Sequence, residues 1–487
     1  MYYPNYLKNS IIIGHTTSRS CKIWVRLEGA DKSESYILQI SHQGHLVQEI
    51  KFNIDSEEVD NIALIKVSNL SANTQYGCVI CDDKNTVIYG NKPEERTGFK
   101  TLNNKKDDLN FALLSCNQPF TYNKKGVRST RVNSWNNLRN QNPNFIVHVG
   151  DQIYSDAVKE HNNIYEEVKN NANLVDVYRK FYRAHWVIPE IKNVLGNFPN
   201  YMTLDDHDIF DGYGSYTNEE KKKYAEEKLG KDVTVFDDIF EAAKSVYGEY
   251  QHSHNPDTAK NVFDFVISNQ NGEFYFMDLR MNRDINKNVK YRILGQSQHD
   301  RFDKWLGKQY ESKKQTPIFI VSGVPFVHLK TLVSEILANF KSLKDDIRDH
   351  WSLDLHANEF TKVLDQLFDL SRKTKRKVVI LSGDVHMSAV FEISSKKHQD
   401  TKLYQVTSSA ITNTNSALLR YLLKFTSAKK GKLSSDKNYH YKQITNYTRR
   451  NFAVINTEFK DIEVNGGADV SVRIFSDRNE VRRIKLK

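Results

Sequence analysis

Four apolar runs in this chain each end in residues that can hold metal ions or move protons. They read Phe111-Ala-Leu-Leu-Ser115-Cys116-Asn117, Phe145-Ile-Val-His-Val-Gly150-Asp151-Gln-Ile-Tyr154, Tyr201-Met-Thr-Leu-Asp205-Asp206-His207-Asp208 and Val378-Val-Ile-Leu-Ser382-Gly383-Asp384-Val-His386. An Asp directly after a strand can bridge two cations, because its carboxylate has two oxygens. A Tyr three residues later, as at Asp151 and Tyr154, can return to the same point after one turn. A phenolate is a poor ligand for Mg²⁺ or Ca²⁺ but a good one for a trivalent ion such as Fe³⁺. Cys116 reads either as a small buried apolar residue or as a thiolate ligand, and beside the other three motifs the thiolate is the better reading. Gly-Asp after a strand is also a common turn, and a helix cap would explain one of Asp205, Asp206 and Asp208, though not the whole set. Acids this crowded repel, so bound cations or raised pKa values are expected. The combination is that of a multinuclear metal site.

The elements that must position these residues follow from the same runs. A short stretch of β-branched and aliphatic residues is the pattern of a strand buried on both faces. Ligands of open α/β sheets sit just beyond the carboxyl ends of such strands. A fifth run, from Pro317 to Pro325, lacks carboxylates. Helical segments are expected between the strands: 164–195 with an aromatic stripe, a pair over 218–251, and a charged, mostly helical excursion over 327–375 that could roof the cleft with Asp349, His350, Trp351 and Asn358. Residues 431–450, basic and rich in Ser and Asn, read as loop, and the alternating tail from Phe452 as closing antiparallel strands. Residues 1–104 differ, with short strand-like runs separated by polar turns. That spacing predicts a small β-sandwich with Trp24 and Tyr76 in its core and 103–108 as linker. The expected division is therefore a β-sandwich domain over 1–104 and an α/β domain over 109–487.

The chain has 487 residues and a net charge of +10, and its cations are scattered in clusters such as 221–223, 372–377 and 482–483. Such clusters are more often solvated loops than a nucleic-acid footprint, yet they favour an anionic substrate. Cys78 and Cys81 have metal-type spacing but lie inside an apparent strand, where positions three apart face opposite ways. No apolar run approaches the ~18 residues of a membrane span, and no signal-peptide pattern opens the sequence, so the chain reads as cytoplasmic.

Together the motifs resemble the alkaline phosphatase D (PhoD-like) group of the metallophosphoesterase superfamily, and the resemblance covers nearly the whole chain. It rests on the four motifs and on Phe276-Met-Asp278-Leu-Arg280-Met-Asn-Arg283, Leu294-Gly295-Gln-Ser-Gln298, Ser322-Gly323-Val-Pro325 and Gln405-Val-Thr-Ser-Ser409-Ala410. It implies a fibronectin-like N-terminal domain and a four-layer αββα calcineurin-like core. It implies hydrolysis of phosphoric esters, as a phosphomonoesterase or phosphodiesterase, with Fe³⁺ and Ca²⁺, or with Zn²⁺, Mn²⁺ or Mg²⁺ in their place. Carried over, Cys116, Asp151, Tyr154 and His386 would hold the iron, Asp151 would bridge, and Asp206 and Asp384 would reach the second metal with Asp205 alongside. His207 would give a proton to the leaving oxygen while a hydroxide held by the metals attacks phosphorus in line. Asn117 and Arg280 are the candidates for substrate contact. Arg280 and Arg283 could clamp a phosphate or form an internal salt bridge. The chain departs from the family at Asp208, where Glu is usual, and at His299, where an aromatic is usual. The expected substrate is a phosphorylated small molecule or polymer, with nucleic acid entering only as substrate. The alternatives are a nuclease-type phosphodiesterase and a noncatalytic phosphatase-like binding module, and the intact ligand set argues against the latter.

Overall fold

A strand buried on both faces needs a second sheet on one side and helices on the other. Phe145–Val149 is such a strand: Phe145, Val147 and Val149 enter a core shared by two sheets, while Ile146 faces a helical layer. The computed structural model describes every residue except 1–2, 4, 55–58, 106–107, 124–125, 157–162, 329–347, 352, 414–428, 434–437 and 460–467. Two large sheets stack face to face. The first orders Asn200–Thr203, Phe145–Val149, Leu109–Leu114, Phe452–Glu458, Asp469–Phe475 and Glu480–Leu486, the first three parallel and the last three antiparallel. The second sheet has eight strands, and its middle is a parallel run of Glu273–Phe276, Ile318–Ser322, Val378–Ser382 and Lys402–Thr407.

Between the sheets, Phe111 stacks on Phe145 at 5.2 Å and meets Phe274 and Phe319 edge-on at 5.3 and 5.1 Å. Such pairs add about 0.5–1.5 kcal/mol each beyond the area they bury. Outside the first sheet lie helices Leu174–Trp186 and Val235–Tyr250, and outside the second lie Gly295–Glu311 and Ala357–Thr374. This is the four-layer αββα arrangement. The parallel strands of both sheets end at one edge, where Gly323 and Gly150 both pack on Asp205.

The N-terminal segment forms a β-sandwich with its own core, a sheet of Ser10–Thr16, Cys21–Arg26 and Ile62–Val67 against a five-stranded one. Tyr76 lies in that core as expected, but Trp24 does not. Ile23 and Val25 take the inner face of their strand, so alternation turns Trp24 outward. It packs on Trp186 and Tyr250 and donates from Nε1 to the Glu249 carbonyl at 2.9 Å. The four cysteines are free and buried. A second expectation also changes: Tyr439–Tyr447, read as loop, is a strand paired with Ser388–Ser395. Its polar residues face outward while Tyr439 and Tyr441 are buried, a half-buried alternation that the surrounding lysines and asparagines mask. The excursion ends in the helix Ala357–Thr374, and residues 329–347 of it lie outside the described residues, as does part of the expected linker. No helix among the described residues is long and apolar enough to cross a membrane.

Asp60 fastens the sandwich to the helical layer. Its carboxylate accepts from Arg26 Nε and Nη2 at 3.1 and 3.0 Å, from Arg183 Nη1 at 3.1 Å, and from the Tyr250 hydroxyl. Arg26 has a side chain only 1% exposed, so Asp60→Ala strands a buried guanidinium. The expected loss is about 3–5 kcal/mol, read as a lower denaturant midpoint. An unchanged midpoint would show that this contact contributes nothing to stability.

Candidate metal centre

Where the parallel strands end, the backbone turns in an unusual way. Cys116, Asp151, Asp384 and His386 have φ of +56°, +56°, +68° and +51°, a left-handed region that non-glycine residues rarely occupy. Strain of this kind persists where surrounding contacts over-determine it, and it concentrates at functional sites. Two glycines make the approach possible. A Cβ on Gly150 would lie 2.3 Å from the Asp205 Cβ, and one on Gly383 would lie 2.4 Å from the Ser115 Oγ. Neighbouring strand ends can therefore touch, bringing Asp205 beside Asp151 and Asp384 beside Cys116.

The side chains meet in two groups that share Asp151. In the first, the Cys116 thiol donates to Asp151 Oδ2 at 3.2 Å and the Tyr154 hydroxyl to the same oxygen at 3.4 Å. Tyr154 also lies 3.0 Å from His386 Nε2, and the Ser409 hydroxyl donates to the Cys116 sulfur at 2.9 Å. In the second, Asp205, Asp206 and Asp384 bring carboxylate oxygens within 4.8 Å of one another, and two carboxylate oxygens of Asp151 and Asp206 lie as close to a ring nitrogen of His207. Asp151 Oδ1, Asp205 Oδ2 and Asp206 Oδ1 are buried without a hydrogen-bond partner. Buried carboxylate oxygens left so are costly unless cations face them. Burial pushes the Cys116 thiol up to about 12. Desolvation, then neighbouring negative groups, raises Asp151, Asp384 and Tyr154 well above their ordinary values. A bound cation reverses each of these shifts, so the donor set fits a metal pair.

Not every expected site residue faces the cleft. Arg280 is fully buried: Nε bonds Asp205 Oδ1 at 2.5 Å, Nη1 lies 2.7 Å from Asp349 Oδ2, and Nη2 lies 3.5 Å from Asp206 Oδ1. Arg283 Nε lies 3.4 Å from Asp349 Oδ1. Of the two readings open for these arginines, the internal salt bridge is the one formed. Burial lifts Asp205 to about 6 even with Arg280 opposing the shift. Asn117 is enclosed as well, accepting from Trp135 Nε1 at 3.2 Å and Thr412 Oγ1 at 3.3 Å and donating to the Gln152 carbonyl at 3.4 Å. Both residues brace loops that carry the candidate ligands. His207 is held from Asp156 Oδ1 to its Nδ1 at 2.8 Å, and its ring stacks on Tyr154 at 4.1 Å. Burial works against its charged form, but Asp156 and Asp206 hold its pKa well above the usual imidazole value. His148 is shut away between Gln152 and Asn200, each at 2.9 Å. From the excursion, Asp349, His350 and Trp351 are buried and Asn358 is exposed.

Asp208 and Asp156 do more than the sequence suggested. Asp208 Oδ2 accepts from the amides of Asp151 and Asp205, both at 2.9 Å. Its Oδ1 accepts from the amides of Gln152 and Ile153 at 3.0 and 3.3 Å and from Gln251 Nε2 at 3.0 Å. This carboxylate thus ties the Asp151 turn to the Asp205 turn. Its position three residues after Asp205, where a capping box closes, was the available sequence signal. Asp156 had none, because its pairing with His207 spans 51 residues.

Three comparisons bear on this geometry. A family described as PhoD-like phosphatase matches residues 111–465. The uncharacterized protein YGR266W of Saccharomyces cerevisiae is 22% identical over 329 residues, 51% of this chain, and the match spans 45% of the yeast protein. Among solved structures, PhoD superposes with a TM-score of 0.63 at 16% identity, covering 98% of this chain and 91% of that one. The purple acid phosphatase PPD1 of yellow lupin gives 0.56 at 10% identity, with 98% and 73% covered. At these identities the structural likeness establishes the fold, a metallophosphatase core with an N-terminal β-sandwich.

Asp208→Ala removes the acceptor for four backbone amides. Residues that orient metal ligands in this way typically cost about 10–100-fold in metal affinity or activity when lost. The purified variant should carry less metal than the parent, measured by elemental analysis. Full occupancy would show that the two turns hold without the clamp.

Proposed function

The chain belongs to the PhoD-like phosphatase family, and from that premise we propose that it hydrolyses phosphoric esters at the cleft lined by Asp151, Asp206 and Asp384. The observation that carries this reading is one set of groups: Cys116, Tyr154 and His386 gathered around Asp151, beside carboxylates whose inner oxygens lack partners. The catalytic unit is taken as 109–487, with 1–104 as the sandwich domain joined to it.

Ligand chemistry separates the two sides of the cleft. A thiolate, a phenolate and an imidazole suit a trivalent transition metal, so Cys116, Tyr154, His386 and Asp151 are assigned to Fe³⁺. The carboxylates of Asp206 and Asp384, with the free oxygen of Asp205, suit a hard divalent ion, for which Ca²⁺ is the assignment. When bound, the pair supplies Lewis acidity and an activated water. The remaining steps belong to the chain. Arg280 holds Asp205 and leans toward Asp206, fixing the carboxylates against their mutual repulsion. Asp156 occupies His207 Nδ1 and Tyr154 fixes the ring plane, so the proton passes to the leaving oxygen from Nε2. Asn117 holds the turn beyond Asp151 through its contact with the Gln152 carbonyl.

Material purified without chelator should contain iron and show a visible tyrosinate-to-metal absorption band. A colourless, iron-free but active protein would remove Tyr154 from the iron site. His207→Ala should retain metal yet slow turnover by about 10²–10⁴-fold on an alkyl phosphate, and far less on a nitrophenyl phosphate whose leaving group needs no proton. Equal losses on both substrates would mean that the acid lies elsewhere. A metal-loaded protein that turns over neither monoesters nor diesters would favour the noncatalytic binding module.

A further inference from the structure

A cavity of about 580 Å³, lined by Tyr447, Arg449, Arg450, Asp477 and Arg478 among others, opens where the chain crosses from the second sheet to the first. Its three arginines are not equivalent. Arg450 is committed to Asp477, with Nε 3.1 and 2.9 Å from the two carboxylate oxygens, and Asp477 also takes the Ser134 hydroxyl at 2.5 Å. Arg449 and Arg478 are exposed and form no salt bridge among the described residues. Against the effect of burial, Arg478 helps Arg450 to hold the Asp477 carboxyl below its ordinary value without closing a salt bridge to it. Both exposed guanidiniums therefore face a pocket large enough for a small-molecule group. Guanidinium is the side chain best matched to phosphate oxygens.

Its position ties this pocket to the metal centre. Asn451, next to Arg450, donates its amide to the Ala410 carbonyl at 2.9 Å, and Ala410 packs with Cys116 and Tyr154. Ala453 pairs with Leu113 and Phe452 with Phe475, so the turn bearing Asp477 and Arg478 stands at the same sheet edge as Cys116. It is two strands over, on the order of 10 Å. We propose that the cavity of Tyr447, Arg449 and Arg478 is a second phosphate subsite, so that the substrate class is an ester carrying a further phosphate group beside the one that is cleaved. This rests on the hydrolase reading of the metal centre.

The test compares wild type with the double variant Arg449→Ala/Arg478→Ala, whose residues are exposed and dispensable to the packing. The substrates are the 4-nitrophenyl ester of thymidine 5′-phosphate, the same ester with a 3′-phosphate, and the same ester extended by one phosphodiester-linked thymidine. The double variant should raise KM about tenfold for the extended esters, the loss of charge-assisted contacts to one phosphate, and less than twofold for the unextended one. A rise confined to the 3′-phosphate ester assigns the subsite to a terminal monoester, and a rise with both extended esters to a phosphodiester chain. Equal KM values across the three esters in wild type, or equal rises in the variant, would overturn the proposal. Calorimetric titration with thymidine 3′,5′-bisphosphate gives a readout independent of turnover. Weaker binding to the variant supports the subsite even if no ester is cleaved, and unchanged binding counts against it.

Discussion

Asp151, Asp205, Asp206 and Asp384 are brought into one cleft with the Arg280 guanidinium bonded among them, and most of the local architecture follows from that crowding. Like charges in a poorly solvated space raise one another's pKa and resist assembly. Arg280 balances only part of the charge, and the oxygens of Asp151 and Asp205 that lack partners mark where a bound cation would complete it. Arg280 also reaches Asp349, and Asp349 in turn meets Arg283. This alternation of charge carries the buried segment Asp349, His350 and Trp351 down onto the edge where the parallel strands end, and Trp351 Nε1 donates to Ser322 Oγ at 3.3 Å.

Holding such a set needs a rigid base, and the stacked sheets provide it. The Phe111, Phe145, Phe274 and Phe319 rings fix the spacing of the strands, so their ends arrive in register. Gly150 and Gly383 then let those ends come closer than any side chain would permit. The left-handed turns at Cys116, Asp151, Asp384 and His386 are maintained from outside, by the Asp208 clamp on one side and by Ser409 on the other, where its hydroxyl meets both the Cys116 sulfur and the His386 amide. The same hydrogen bonds that satisfy buried amides also aim the candidate ligands.

The sandwich is part of this base and not an appended module. Trp24 enters the aromatic layer of Trp186, Tyr182 and Tyr250, and Asp60 collects cations from both sides of the boundary. From the same helical layer Gln251 reaches Asp208, and Tyr178 bonds the Ile209 carbonyl just beyond it. A short run of contacts therefore leads from the sandwich boundary to the Asp151 turn.

The sequence by itself determined the strand ends and the kinds of atom gathered there. Buried strands write themselves as unbroken apolar runs, and Cys116, Asp151, Tyr154, Asp206, Asp384 and His386 follow those runs at fixed offsets. The β-sandwich was legible from its turn spacing, and Tyr76 from its place in a strand. Tertiary structure alone decided the assignments within each motif. Asp205, Asp206 and Asp208 are nearly identical in sequence context, yet Asp205 bonds Arg280, Asp206 accepts from the Gly212 amide and faces both Asp151 and Asp384, and Asp208 clamps backbone amides. Which face Trp24 takes, and whether Arg280 and Asn117 meet substrate or brace a loop, depend on partners up to 295 residues away. Such pairings leave no local trace, because a side chain's role is set by what the fold places opposite it, and periodicity records only which side of an element it is on.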